Sequence, residues 1–131
     1  MNPEPFWLDP QIIIAIHEMQ IAEHGGLSGL RDRALLESGT ARAQNLFAYG
    51  EPTLFEMAAA YAGGIVKNHP FADGNKRTGF MAAYTFLRRN GMHLRAPQED
   101  AVKAVLALAS NEMSELQFAQ WLEANSLPLQ P

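Results

Sequence analysis

"NHPFADGNKRTGF", Asn68 to Phe80, is the stretch on which the reading of this chain turns. Pro70 disfavours helical geometry at His69, so a helix arriving from the N-terminal side stops there, and a second one begins at Gly74 or Asn75. A helix starting at that point presents unpaired backbone N–H groups and the positive end of its macrodipole, and Gly74 lets a ligand come close to the backbone. Lys76 and Arg77 in the first turn oppose the usual preference for acidic residues there, a conflict that a bound anion resolves. A phosphate is the natural anion. Asp73 is placed to hold a Mg²⁺ that also bridges phosphate oxygens, since this hard cation uses one or two carboxylates together with phosphates. His69, four residues ahead of Asp73, is the side chain here that accepts a proton near neutral pH without special tuning, which suits it to activate a hydroxyl nucleophile. Taken singly these residues are ordinary: Asp-Gly makes turns, Asn caps helices and Lys-Arg lies on solvated helix edges. Their joint spacing is what points to chemistry.

On either side the chain reads as helices. Asp9-Pro10 is a helix start, followed by Ile12, Ile13, Ile16 and Met19 at helical spacing and ended by Gly25-Gly26. "GGLSGLR", Gly25 to Arg31, is a loop with room for one small hairpin before Asp32, and Asp32 opens a shorter helical stretch with Leu35 and Leu36 that Gly39 and Thr40 blur. Thr53 and Glu56 form a capping box, and Leu54, Met57, Tyr61 and Ile65 line one face of a helix that reaches about Asn68 and delivers the chain to His69. The motif helix continues through Phe80, Tyr84 and Leu87 to Asn90-Gly91. A fifth helix uses Val102, Val105, Leu106 and Ala109. A second capping box, Ser114 with Gln117, opens a sixth carrying Phe118, Trp121 and Leu122, and the tail "LPLQP" is expected to fray. Without a repeat, a heptad or a convincing strand pair, the expected fold is all-α: a compact bundle of about six helices in one domain, with the motif helix at its centre.

Composition bounds the function. The chain has 131 residues, 47% of them apolar and 18% charged, enough for one self-sufficient core and too few charges for a disordered tail. Wholly apolar runs such as "IIIAI" are far too short to cross a bilayer, and residues 1 to 8 show no export signal. With no cysteine, disulfide staples and thiolate chemistry fall away together, and the cytoplasm is the expected compartment. A formal charge of −4 argues against direct nucleic-acid binding, so the expected phosphate ligand is a nucleotide. His17 and His24, seven apart, lack a third ligand for a metal and are expected at the surface. Arg88 and Arg89 complement the dipole at the end of the motif helix, and Phe80, Tyr84, Phe118 and Trp121 are expected in the core.

"HPFADGNKR", His69 to Arg77, resembles the signature of the Fic/Doc superfamily, whose fuller Fic form reads H-P-F-x-[DE]-G-N-G-R-x-x-R. Every position fits except Lys76, which replaces a glycine and is the variant of the Doc, or death-on-curing, branch; Phe80 stands where the second arginine would be. "GLRDRALLES" and "AYAGGIVKNHPF" are similar to Doc sequences as well, so that the resemblance spans about residues 8 to 124. It implies His69 as general base for a target-protein hydroxyl, Asp73 as Mg²⁺ ligand, the backbone around Gly74, Asn75 and Lys76 as a phosphate-binding loop, and Asn75 and Arg77 as further contacts. It implies ATP as substrate, bound so that the γ-phosphate faces the histidine, with elongation factor Tu as the target phosphorylated on a threonine and translation inhibited. Lys76 fills room that glycine would leave for two consecutive phosphates, and Phe80 removes a clamp on the distal ones, in keeping with that orientation. AMP or another nucleotidyl transfer is the alternative within catalysis, and a catalytically silent antitoxin-binding module is the alternative outside it. No Ser or Thr begins the inhibitory pattern [ST]-x-x-x-E-[GN] found in many Fic proteins, so the resemblance implies a separate Phd-type antitoxin whose disordered C-terminal segment folds into a groove of the toxin. The glycine-rich "GGLSGLRD" is the candidate flap for the target's backbone.

Overall fold

A computed structural model describes residues 3–130. It contains six helices, α1 (Pro10–His24), α2 (Arg33–Tyr49), α3 (Leu54–Asn68), α4 (Asn75–Arg89), α5 (Gln98–Ala109) and α6 (Glu115–Ala124), and two short strands, β1 (Met92–Leu94) and β2 (Ser126–Pro128). The expected all-α bundle is the observed architecture, and both capping boxes form, Thr53 with Glu56 on α3 and Ser114 with Gln117 on α6. Asp9 caps α1 by accepting from the Ile12 N–H at 3.0 Å, with Pro10 in the first turn where its missing N–H costs nothing.

The centre of the bundle is α3, whereas the sequence pointed to the motif helix. From Met57 to Val66 every residue of α3 is buried, and α2, α4 and α6 pack around it. Its run of alanines and glycines is the reason, because small residues let neighbouring backbones come close on all sides. A Cβ added at Gly39 of α2 would stand 2.8 Å from the Gly64 carbonyl oxygen, and one at Gly64 would stand 2.7 Å from the Gly39 Cα. Gly79 brings α4 in the same way, with a Cβ there meeting Val66 Cγ2 at 2.6 Å. Gly39, which blurred the reading of α2, thus sits mid-helix as a contact point, and α2 is the longest helix at 17 residues. Gly63 leaves room for Glu115, which pairs with Arg42 and ties α6 to α2 across α3.

Four further expectations shift. Met19 is exposed, because the inward arc of α1 is Ile13, Ile16, His17 and Gln20, the i, i+3, i+4, i+7 set one step round from the one expected. The buried face of α5 is Ala101, Ala104, Val105 and Leu108, while Val102 and Leu106 stay about half exposed. The tail is held as far as Leu129: Ser126–Pro128 pairs antiparallel with Met92–Leu94, Leu127 opposite His93, extended by Leu129 N–H to Gly91 O at 2.9 Å. Pro131 lies outside the described residues. The segments are too short to show a two-residue period, so only their tertiary approach defines them. In the loop before Asp32 no hairpin forms; Leu30 instead bridges Phe71 of the motif. No helix among the described residues is long and apolar enough to cross a membrane.

Candidate active site

The motif lies between the end of α3 and the start of α4. His69 is the C-cap of α3, in the left-handed region at φ 51°, ψ 55°, with its N–H on Ile65 O at 3.1 Å. A non-glycine residue there is strained by about 1–2 kcal/mol and needs outside support. Arg31 supplies it: the guanidinium donates to the His69 carbonyl from Nε at 2.8 Å and from Nη2, and reaches Asn68 O at 3.3 Å. A cation on the last carbonyls of a helix also answers its dipole. The His69 side chain itself is exposed, and its imidazole makes no hydrogen bond among the described residues, so it is open to a substrate.

Phe71 is buried and stitched to the preceding loop. Arg31 N–H donates to Pro70 O at 2.7 Å and Ala72 N–H to Gly29 O at 3.1 Å, which leaves the N–H and C=O of Phe71 outside the bridge. Asn75 takes both: Oδ1 accepts from Phe71 N–H and Nδ2 donates to Phe71 O, each at 3.0 Å. The side chain expected to touch a nucleotide is therefore turned inward, and Asn75 offers the solvent side only its backbone N–H.

Asp73 is exposed, and its carboxylate accepts from Leu27 N–H at 3.2 Å and from Gly74 N–H at 2.8 Å. These amides, Leu27's first, hold its carboxyl below the usual carboxylate range, with Arg77 and His17 adding a little. The group is thus ionised at neutral pH with lone pairs left over for a cation. No cluster of three or more His, Cys, Asp or Glu side chains exists among the described residues, so the donor set suits a Mg²⁺ shared with phosphates and does not form a protein cage.

Gly74 sits at φ +75° as the N-cap of α4. Alone among the six helices, α4 has neither a side-chain cap nor an acidic residue in its first turn; it carries Lys76 and Arg77 there. The first intrahelical bond is Thr78 N–H to Gly74 O at 3.0 Å, leaving the N–H groups of Asn75, Lys76 and Arg77 without a helical acceptor. Arg77 Nη2 donates to Gly25 O at 3.2 Å, while Lys76 is exposed and makes no ion pair among the described residues. Beside them opens a cleft of about 1040 Å³ between α4 and α5, with Lys76, Arg77, His24, His93 and Arg95 on its polar side and no carboxylate. Phe80, Tyr84, Val102 and Leu106 make its apolar wall. Phe80 and Tyr84, expected in the core, are only partly buried because they face this cleft. A second depression of about 630 Å³ lies at the α2–α3 turn, away from the motif, and mixes Arg42 with Glu51 and Glu56.

Two residues of the site escaped the sequence reading. Arg31 lay inside a segment read as flap, with no local signal of its role. His17, expected at the surface, is buried at 1% exposure, donates to Asp73 O at 2.8 Å and stacks on Phe71 with ring centroids 3.9 Å apart. Its signal was present, since the spacing of Ile13, Ile16, His17 and Gln20 puts it on the inward face.

A helical bundle thus presents an exposed histidine, a pinned carboxylate and an uncapped, cationic helix start on one turn. The sequence matches the model of the Fic/DOC family over residues 7–87, and the chain belongs to that family. It is 39% identical over 116 residues to "Protein kinase doc" of Escherichia phage P1, covering 88% of this chain and 91% of that protein. It is also 44% identical over 75 residues to "Toxin Doc" of Mycolicibacterium smegmatis, covering 55% of this chain and 57% of that one. Within the family it is of the Doc type.

Proposed function

We propose that the chain is a Doc-like toxin that transfers the γ-phosphoryl group of ATP to a threonine hydroxyl of a protein target, elongation factor Tu being the expected one, in the cytoplasm and under the control of a Phd-type antitoxin. The observation that carries this reading is the start of α4, where free amides and Lys76 stand uncompensated by any carboxylate of the helix itself. The relative of phage P1 that aligns over most of both chains is named as a protein kinase, which favours phosphoryl over nucleotidyl transfer.

His69 takes the proton of the attacking hydroxyl on its free imidazole as the new O–P bond forms and the bond to the β-phosphate oxygen breaks, releasing ADP. The amides of Asn75, Lys76 and Arg77, with the Lys76 ammonium, stabilise charge on the transferring group, and Arg31 holds the His69 backbone in its strained conformation. Mg²⁺ bound at Asp73 would neutralise phosphate charge. The basic side of the α4–α5 cleft, contiguous with Lys76 and Arg77, has the sign to take the remaining phosphates, and its aromatic wall suits the base.

The test is incubation of the protein and a His69→Ala control with elongation factor Tu, Mg²⁺ and ATP labelled at the γ- or the α-phosphate. Label on protein from the γ-phosphate, lost in the control by about a hundredfold to ten-thousandfold, is the expected result. Label from the α-phosphate would make the protein a nucleotidyl transferase, and label from neither would leave it a binding module or direct it to another target.

A further inference from the structure

The buried histidine of α1 has no place in the chemistry just described, yet it touches the motif at its most sensitive point. His17 Nε2 lies 2.8 Å from the Asp73 carbonyl oxygen, which can only accept, so Nε2 carries the proton. Its ring stacks on Phe71 at an interplanar angle of 6°, which fixes the direction of that N–H.

What it holds is the peptide joining Asp73 to Gly74. The bond is trans, so its C=O and N–H point opposite ways. While His17 draws the carbonyl to one side, the Gly74 N–H is presented on the other, where it donates to Asp73 Oδ1 at 2.8 Å. Gly74, at φ +75° and without a Cβ, offers little resistance to rotation of this peptide. A flip would place a carbonyl oxygen where the Gly74 N–H now lies, beside the Asp73 carboxylate and at the head of the free amides of α4. It would both repel an anion and release the carboxylate. The space behind is already filled: a Cβ at Gly74 would meet Ile21 Cδ1 at 3.3 Å and His17 Nε2 at 3.8 Å.

We propose that His17 is a positioning residue of the phosphate-binding turn: its Nε2–H locks the Asp73–Gly74 peptide and, through it, the orientation of the Asp73 carboxylate and the Gly74 amide. The link to phosphate rests on the function proposed above; the lock itself does not.

Two substitutions separate donor from ring. His17→Phe keeps the stack on Phe71 and loses the hydrogen bond; His17→Gln keeps a donor and loses the ring. In ¹H–¹⁵N spectra of the ligand-free wild type, the His17 Nε2–H should give a slowly exchanging signal. The Gly74 and Asn75 amides should be single in the wild type and in His17→Gln, and broadened or doubled in His17→Phe. Pyrophosphate with Mg²⁺, titrated calorimetrically below the unfolding temperature of each protein, should bind about two- to tenfold more weakly to His17→Phe, what one net hydrogen bond is worth, and recover in His17→Gln. No protected Nε2–H signal in the wild type would overturn the lock even if neither variant folds. Equal weakening in both variants with undisturbed Gly74 signals would assign His17 to packing alone. A wild type that binds no pyrophosphate, with Gly74 signals still split in His17→Phe, would overturn the phosphate reading and leave the lock standing.

Discussion

Replacing Asn75 by alanine separates two roles that the motif allows for this residue. Its carboxamide makes two hydrogen bonds of 3.0 Å to the N–H and C=O of Phe71, a residue only 1% exposed whose backbone groups have no other partner in the bridge to Leu30. Removing it orphans one buried donor and one buried acceptor, each costing about 1–3 kcal/mol. Partial entry of water through the shortened side chain reduces the sum, so Asn75→Ala should lose about 2–4 kcal/mol, on the order of a 10 °C fall in Tm for a domain of this size. Urea unfolding followed by circular dichroism gives the stability, and calorimetric titration with Mg²⁺ and ATP at low temperature gives the affinity of whatever remains folded. Stability within about 0.5 kcal/mol of the wild type, together with lost nucleotide binding, would refute this reasoning and make Asn75 a ligand contact.

The helix crossings make an equally direct prediction. Gly39→Ala gains about 1 kcal/mol of helix propensity but puts a Cβ 2.8 Å from the Gly64 carbonyl oxygen, so a net loss of about 1–2 kcal/mol is expected in urea unfolding, whereas Gly50→Ala, with extended backbone and only an ordinary contact to the Leu46 carbonyl oxygen at 3.7 Å, should be neutral. His69→Ala should leave Tm within about 2 °C of the wild type, because its fixed parts are backbone; a large fall in differential scanning calorimetry would mean that the imidazole is structural. Tyr61 accepts from Leu8 N–H at 3.0 Å and donates to Leu8 O at 3.2 Å, and burial raises its phenol above the ordinary value. The stability held by the neutral phenol is therefore complete below about pH 10 and is lost as pH rises through the raised value. Ultraviolet titration should show one of the three tyrosines ionising late and together with unfolding; three tyrosines ionising together in the folded state would refute it.

Much of this fold was legible because it is written locally. Asp9-Pro10, Thr53 with Glu56, and Ser114 with Gln117 each satisfy backbone donors within one turn, so three helix starts stand where the residues alone put them. Pro70 and Gly74 likewise fixed the break between α3 and α4. What local rules missed was whatever depends on a neighbour from elsewhere in the chain. Gly39 reads as a helix breaker until Gly64 is against it. Leu127–Leu129 reads as a fraying tail until Gly91–His93 pairs with it. Val102 and Leu106 read as core until the cleft is seen beside them.

The candidate site divides the same way. By itself the sequence determined which groups converge on one turn, His69, Asp73, Gly74, Lys76 and Arg77, since nine consecutive residues around a helix break cannot be far apart. Only the tertiary structure decided what each is free to do. It turned the Asn75 side chain inward, latched Asp73 to Leu27, tied Arg77 to Gly25, and brought Arg31 and His17 from distant segments to hold the backbone. The physical reason is that a buried N–H or carbonyl must find a partner wherever in the chain one lies, and such pairings between α1, the glycine loop and the motif carry no sequence spacing by which to read them.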